Sequence, residues 1–183
     1  MLYIKIILYF YWSMKKTWYL LLFTLMLSAT TKAQTNWVTK NIDDKFSIKF
    51  PAEPVKTTKP TGDVYFYKAA DSLAYSAAML DMSVIAHLDS AALAPLKDNQ
   101  QFADQVMAGM ASSKKNYTFG KVTIGKWKTY TEYTISGSDN TNKNSLLMQM
   151  IIKGSKMYIL SCRVPAGMDT KNNEVFFGSA AMK

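Results

Sequence analysis

The chain has 183 residues, with 22 basic against 13 acidic side chains, a formal net charge of +9, one cysteine and one histidine. A single cysteine, Cys162, excludes an internal disulfide, and one cysteine with one histidine excludes a zinc site built from a Cys/His cluster. The positive excess is lysine, scattered along the chain, with Arg163 the one arginine, and this distribution lacks the guanidinium forks and basic stripes of nucleic-acid recognition.

The chain opens on a segment with the features of a secretory leader. Lys15 and Lys16 precede an apolar run from Trp18 to Leu27, and the small-residue stretch Ser28 to Ala33 follows it. Thr31 and Ala33 suit the −3 and −1 positions of a cleavage site, so cleavage is expected between Ala33 and Gln34, with Met14 as a possible start. The upstream Met1 to Ser13 is apolar as well, and the alternative is an uncleaved hairpin or anchor; the short Leu20 to Leu27 run stands against it. No cysteine lies near the cleavage point, so a lipid anchor is not expected. Removing residues 1–33 leaves 150 of 183 residues and takes away Lys5, Lys15, Lys16 and Lys32, which lowers the charge from +9 to +5. The expectation is an exported protein, periplasmic or secreted, with one domain over 34–183.

Within that domain Gln34 to Asp44 is a polar lead-in ending in an Asp43-Asp44 turn. Phe46, Ile48 and Phe50 then alternate with polar residues, which predicts a strand with one buried face, stopped by Pro51 and Pro54. Val55 to Lys59 reads as an edge strand, Pro60 to Asp63 as a turn, and Val64 to Lys68 as a strand rich in aromatic residues. Leu73 to Ile85 is apolar on both faces, the pattern of a central strand, and its alanines leave room for a helix to approach. A helix is expected over about Leu96 to Ser112, with Asp98 and Gln101 as a capping box and Phe102, Val106 and Met110 beside Ala103 and Met107 as its apolar stripe. Four strands follow, Tyr117–Ile124, Trp127–Ile135, Leu146–Lys153 and Met157–Val164, with turns at Gly125-Lys126, Ser136 to Asn144 and Gly154-Ser155. A short helix over Asn172 to Phe177, capped by Asp169 or Thr170, and a brief tail close the chain. This order, with hairpin-length connections, predicts an α+β domain with a mostly antiparallel central sheet flanked by helices.

Three features carry a family resemblance: Phe-x-Ile-x-Phe-Pro at Phe46 to Pro51, the helix in the middle third, and Glu-Val-Phe-Phe-x-Ser at Glu174 to Ser179. Over roughly Trp37 to Lys183 the sequence resembles the PsbP-like exported domains, which are related in fold to the extrinsic photosystem II protein PsbP and to a Ran-binding family. The resemblance implies an αβα sandwich and a binding or assembly role rather than catalysis. It carries no functional residue, because the matching positions are strand-core and helix-core positions.

Chemistry-bearing residues are few. His87 is the sole histidine through which a hydrolase-type mechanism could run, yet there is no Gly-x-Ser-x-Gly elbow, and Asp89 and Ser90 are its sequence neighbours only. Cys162 alternates within an apolar strand and reads as an inert core thiol. The methionine pairs Met79/Met82, Met107/Met110 and Met148/Met150 have spacings that a Cu(I) carrier could use, although they fall on elements that need core residues. Asp139 to Asn144 reads as a solvated loop, since Thr141 and Lys143 occupy calcium-liganding positions. No glycine-rich phosphate loop or paired carboxylates are found, and no cofactor is expected. The best contact patch is Lys126, Trp127, Lys128 and Tyr130, basic and aromatic residues alternating on a strand, with Trp127 also suited to the core. The reading is a non-enzymatic binding or assembly-accessory domain whose partner is an envelope or extracellular protein.

Overall fold

The computed structural model describes residues 37–183. The leader read over residues 1–33, the start at Met14 and the cleavage point after Ala33 lie outside the described residues. Strand β1 (Val38–Asn41) pairs antiparallel with β2 (Phe46–Phe50), and β11 (Ala181–Met182), at the far end of the chain, pairs with β2 as well. These three strands form a small sheet of their own. The Phe46 strand therefore does not begin the main sheet, as its position in the sequence suggests. Its side chains point into the face of that sheet, and Phe46, Ile48 and Phe50 are each 0% exposed. The tail expected after Ser179 is not free, because β11 completes the small sheet and the Lys183 amide donates to the Lys45 carbonyl at 2.8 Å.

The main sheet is antiparallel throughout. Its strands are β3 (Val55–Lys59), β4 (Gly62–Lys68), β5 (Ala74–Asp81), β6 (Tyr117–Phe119), β7 (Thr123–Trp127), β8 (Tyr130–Asp139), β9 (Ser145–Lys153) and β10 (Lys156–Val164). They run in the order β3-β4-β5-β10-β9-β8-β6, with β7 also paired to β8. The α+β, mostly antiparallel expectation matches this arrangement, and the β9–β10 hairpin turns at Gly154 and Ser155 as its sequence predicts. The turn expected at Gly125-Lys126 lies instead at Lys128-Thr129: Gly125 pairs with Glu132 inside the ladder, Trp127 pairs with Tyr130, and Lys128 takes the left-handed conformation at φ 54°. At the β3–β4 turn Gly62 has φ 128°, and a Cβ there would stand 2.7 Å from the Met79 carbonyl oxygen, so the position requires glycine.

The central helix, and the strand that precedes it, are shorter than expected. Strand β5 stops at Asp81, whose carboxylate accepts from the Ser83 amide and caps α1 (Met82–Ile85); Asp89 caps α2 (Ser90–Leu93) in the same way through the Ala92 amide. Helix α3 (Gln100–Ser112) begins four residues after Leu96 and is capped by Asn99, not by Asp98. Asp98 is drawn away by Lys126 at 2.8 Å and Thr131 at 2.7 Å. The apolar stripe is as read: Ala103 and Met107 are buried, and Phe102, Val106 and Met110 pack beside them. Helix α4 (Asn172–Gly178) has no side-chain cap at Lys171, although the Thr170 hydroxyl accepts from the Asn172 amide at 3.1 Å.

Alternation along the strands divides the core into two clusters, one on each face of the main sheet. On the upper face Tyr65, Tyr75, Ala77, Tyr158, Leu160 and Cys162 pack against β2 and against Phe176 of α4. On the lower face Tyr133, Ile135, Leu146, Met148, Met150 and Ile152 pack with Leu93 of α2 and with Ala103 and Met107 of α3. The expected helical layer on both faces is thus corrected on the upper face, where a small sheet provides most of the cover. The two covers are also offset. The upper lies over β4, β5 and β10, the lower over β8, β9 and the Met157 end of β10, and each leaves part of its face open.

Asp43 ties the small sheet to the main one. One carboxylate oxygen accepts from the Lys45 and Phe46 amides at 2.8 Å each, and the other accepts from the Lys156 ammonium and the Tyr158 hydroxyl at 2.9 Å each. Beside it the Phe46 ring stacks on Tyr158 with centroids 4.4 Å apart. Burial pushes the Asp43 carboxyl upward, but the bonds from Lys156, the Lys45 amide and Tyr158, with the Lys156 charge, outweigh it and hold the group below the usual carboxylate range. With the folded-state value depressed, this contribution is complete above the unfolded value of about 3.9 and is lost as pH falls through the folded one. Asp43→Asn is expected to cost about 2 kcal/mol in urea titrations at pH 7, and the gap to the wild type is expected to close towards pH 2. A gap that is unchanged between the two pH values would contradict the tie.

Candidate binding groove

The strand that carries Lys126, Trp127, Lys128 and Tyr130 does not present them as one surface. Alternation sends Lys126 to the lower side, where its ammonium bonds Asp98 and, at 3.1 Å, Thr131. Trp127 turns to the upper side and is half-buried in the core there, edge-on to Phe46 at 6.4 Å and stacked with Tyr130 at 6.3 Å. Lys128 folds back over the indole, its ammonium 4.5 Å from the ring centroid, and Lys153 lies 5.7 Å from the Tyr130 ring. Trp127 therefore acts as a core residue with a cationic lid.

The remaining chemical candidates are dispersed. His87 sits exposed in the loop after α1 at φ 54°, and no described residue makes a hydrogen bond to its ring. Cys162 is 0% exposed, and burial, with a smaller effect of the Asp71 charge, pushes its thiol up to about 12, which makes it a poor nucleophile. Met79 belongs to the upper cluster and Met82 to the lower, so that pair is divided by the sheet; Met107, Met148 and Met150 are buried in the lower core. In the loop after β8 the Asp139 carboxylate accepts from the Thr141 and Asn142 amides, at 2.9 and 3.3 Å, an arrangement that closes a turn. No group of three or more His, Cys, Asp or Glu side chains placed to hold a metal occurs among the described residues. Among them, too, no helix is long and apolar enough to cross a membrane.

The open part of the upper face forms a groove of about 410 Å³ over β7, β8 and β9, with Phe177 of α4 in its lining. Its floor follows from the alternation of β8, in which Tyr133 and Ile135 go down into the core and Thr134 and Ser136 face up. Register places Thr123 of β7 beside Thr134, Thr134 beside Gln149 and Ser136 beside Leu147 of β9. Lys121, in the connection between β6 and β7, supplies a cation. The Gln149 amide nitrogen donates to the Glu132 carboxylate, whereas its carbonyl oxygen is buried and accepts from no described residue. An aromatic wall, a row of hydroxyls and a cation can bind a polar chain, and they supply no nucleophile paired with a base. None of these groove residues stands out as a site by sequence motif. The available signal is the polar half of the alternation through Glu132, Thr134, Ser136 and Ser138, too regular for a strand with two buried faces.

No protein-family model matches the chain, and no curated protein matches it in sequence. Among solved structures it is similar to the cyanobacterial PsbP (CyanoP) of Synechocystis sp. PCC 6803, with a TM-score of 0.58 over 84% of this chain and 96% of that one, at 10% identity. The chain has a PsbP-like fold. A protein from Bacteroides thetaiotaomicron VPI-5482 is similar at a TM-score of 0.43 over 75% of this chain and 45% of its own, with 11% identity. The PsbP-like fold agrees with the resemblance read from Phe46 to Pro51 and Glu174 to Ser179; the first of these segments is β2, and the second contains the turn of α4 that buries Phe176.

The placement of Trp127 separates its role from that of its neighbours. Trp127→Ala is expected to cost about 3 kcal/mol of unfolding free energy, as for loss of a core aromatic, and Lys128→Ala less than about 0.5 kcal/mol. Equal, small effects of both in denaturant titrations would show that Trp127 is a surface contact.

Proposed function

We propose that this is an exported, non-enzymatic binding domain that holds a polar segment of an envelope or extracellular protein in the groove over β7, β8 and β9. The observation that carries this reading is the groove itself: Thr123, Thr134 and Ser136 offer donors and acceptors in strand register. A bound polypeptide can use the exposed hydroxyls, with Phe177 as the apolar wall. Export is supported by the leader features of residues 1–33, and an accessory role by the PsbP-like fold. The exposed, unpartnered setting of His87 and the burial of Cys162 favour binding over a hydrolase mechanism.

The test is capture of partners by the full chain, expressed and exported in its own cells, from the envelope fraction. The exported form is expected to begin at Gln34 and to retain a reproducible protein partner. Thr134→Trp, which fills the groove from an exposed position, is expected to lower that recovery about tenfold, the equivalent of roughly 1.4 kcal/mol. Recovery unchanged by Thr134→Trp would overturn the groove as the contact site, and an intracellular protein that keeps its leader would overturn export.

A further inference from the structure

Helices α2 and α3 both pack towards one side of the lower face of the main sheet. Helix α3 has 13 residues and covers β8 and β9, the same cluster takes in Met157 and Ile159 of β10, and β3, β4 and β5 form the rest of the face. Across these three strands and β10, register sets Val55, Phe66, Ser76 and Ser161 in one row, and Thr57, Val64, Ala78 and Ile159 in the next. Val55 is 68% exposed and Phe66 44%, whereas on the upper face Tyr65 of β4 and Ala77 of β5 are buried.

The shape of this surface is specific. Strand β5 contributes only Ala74, Ser76 and Ala78 along its middle, so it forms the floor of a trough with the larger side chains of β4 and β10 as walls. Two strand spacings make the trough about 10 Å wide, the diameter of a helix with its side chains. From Ala74 to Leu80 it runs about 20 Å, the length of about 13 helical residues. The polar atoms of the floor are already satisfied, because the Ser76 and Ser161 hydroxyls bond each other at 2.7 Å. At one end Lys68 and Arg163 both stand in register with Ala74, one on either side of it. Neither is in an ion pair with a described residue, and the Arg163 Nε is buried with no hydrogen-bond partner. No acidic residue of β3, β4, β5 or β10 points to this face, since Asp63 and Asp81 fall on the upper side of the alternation.

We infer that this trough docks an amphipathic helix of a partner protein, laid along β5 with its apolar stripe on Ala74, Ser76 and Ala78 and its carboxylates over Lys68 and Arg163. A helix is selected by the width and the small-residue floor, and acidic flanks by the two cations that no described carboxylate pairs. The face is opposite to the groove described above, and the proposal does not rest on what the groove binds.

The experiment places benzoylphenylalanine at Phe66 in the full chain, expressed in its own cells, and identifies the photo-crosslinked product by mass spectrometry. The expected product is a peptide of another protein with a helical apolar period and acidic residues flanking it. Its yield is expected to fall tenfold or more with Lys68→Glu, an exposed position that leaves the core intact, and with Ala78→Arg, which blocks the trough floor. The same probe at Thr134, in the groove, is expected to be unaffected by Lys68→Glu. A lipid adduct, an adduct to a second copy of this chain, a peptide without the apolar period or the acids, or no adduct at all would each overturn the proposal.

Discussion

The burial of one short strand holds this domain together. Phe46, Ile48 and Phe50 of β2 insert into the upper face of the main sheet, where they meet Tyr158, Leu160, Cys162, Tyr75 and Phe176, all 0 or 1% exposed. Full burial of each such side chain contributes about 1.5–3 kcal/mol, so the three together are comparable with the net stability of an ordinary domain. The small sheet could not exist without this contact, for β1 and β11 have four and two residues and its edges are short. Asp43 sets the direction in which β2 approaches, since the same carboxylate closes the β1–β2 turn and reaches Lys156 and Tyr158. Packing supplies the energy, and the carboxylate supplies the orientation.

From this placement follows the division of the exposed surface. With the small sheet and α4 over β4, β5 and β10, the upper face of β7 and β8 stays open; with α3 over β8 and β9, the lower face of β3, β4 and β5 stays open. The sequence has treated the two differently. The open upper region carries threonine, serine and glutamine, groups at ease in water, together with a glutamate. The open lower region carries valine, phenylalanine, alanine and leucine with lysine and arginine at one end, an arrangement that is costly to leave in water. The two surfaces on one sheet have opposite character, and the chemistry of each limits what can bind there.

Much of the fold is legible in the sequence because period-two alternation is a local signal. Strand β2, the β9–β10 hairpin and the buried stripe of α3 all follow from patterns within a few residues. The errors come from competition between local and distant partners. Asp98 has the chemistry of a helix cap, but Lys126 and Thr131, about 30 residues away in sequence, claim its carboxylate. Gly125 has the chemistry of a turn, but the pairing of Trp127 with Tyr130 moves the turn to Lys128, a lysine in a conformation that glycine or asparagine usually takes. Ala181 and Met182 have no pattern at all, and only contact with β2 makes them a strand. The groove is less legible than the fold, because it joins Thr123, Thr134 and Gln149 with Phe177 from a separate helix, and no short motif spans them. The contact patch read over Lys126 to Tyr130 fails for a simpler reason: adjacent residues of a strand point to opposite faces, so Lys126 and Trp127 are separated by the sheet.

If the packing of β2 is what the domain depends on, the small and main sheets must open together. Native-state hydrogen exchange measures this directly, amide by amide. The account predicts that the most protected amides of β2 exchange with the same opening free energy and the same denaturant dependence as those of β10, at the global value, while the exposed edge strand β3 exchanges more easily. Exchange of the β2 amides through a smaller opening, with β10 still protected, would contradict it and make the small sheet an appendage to a core that stands without it.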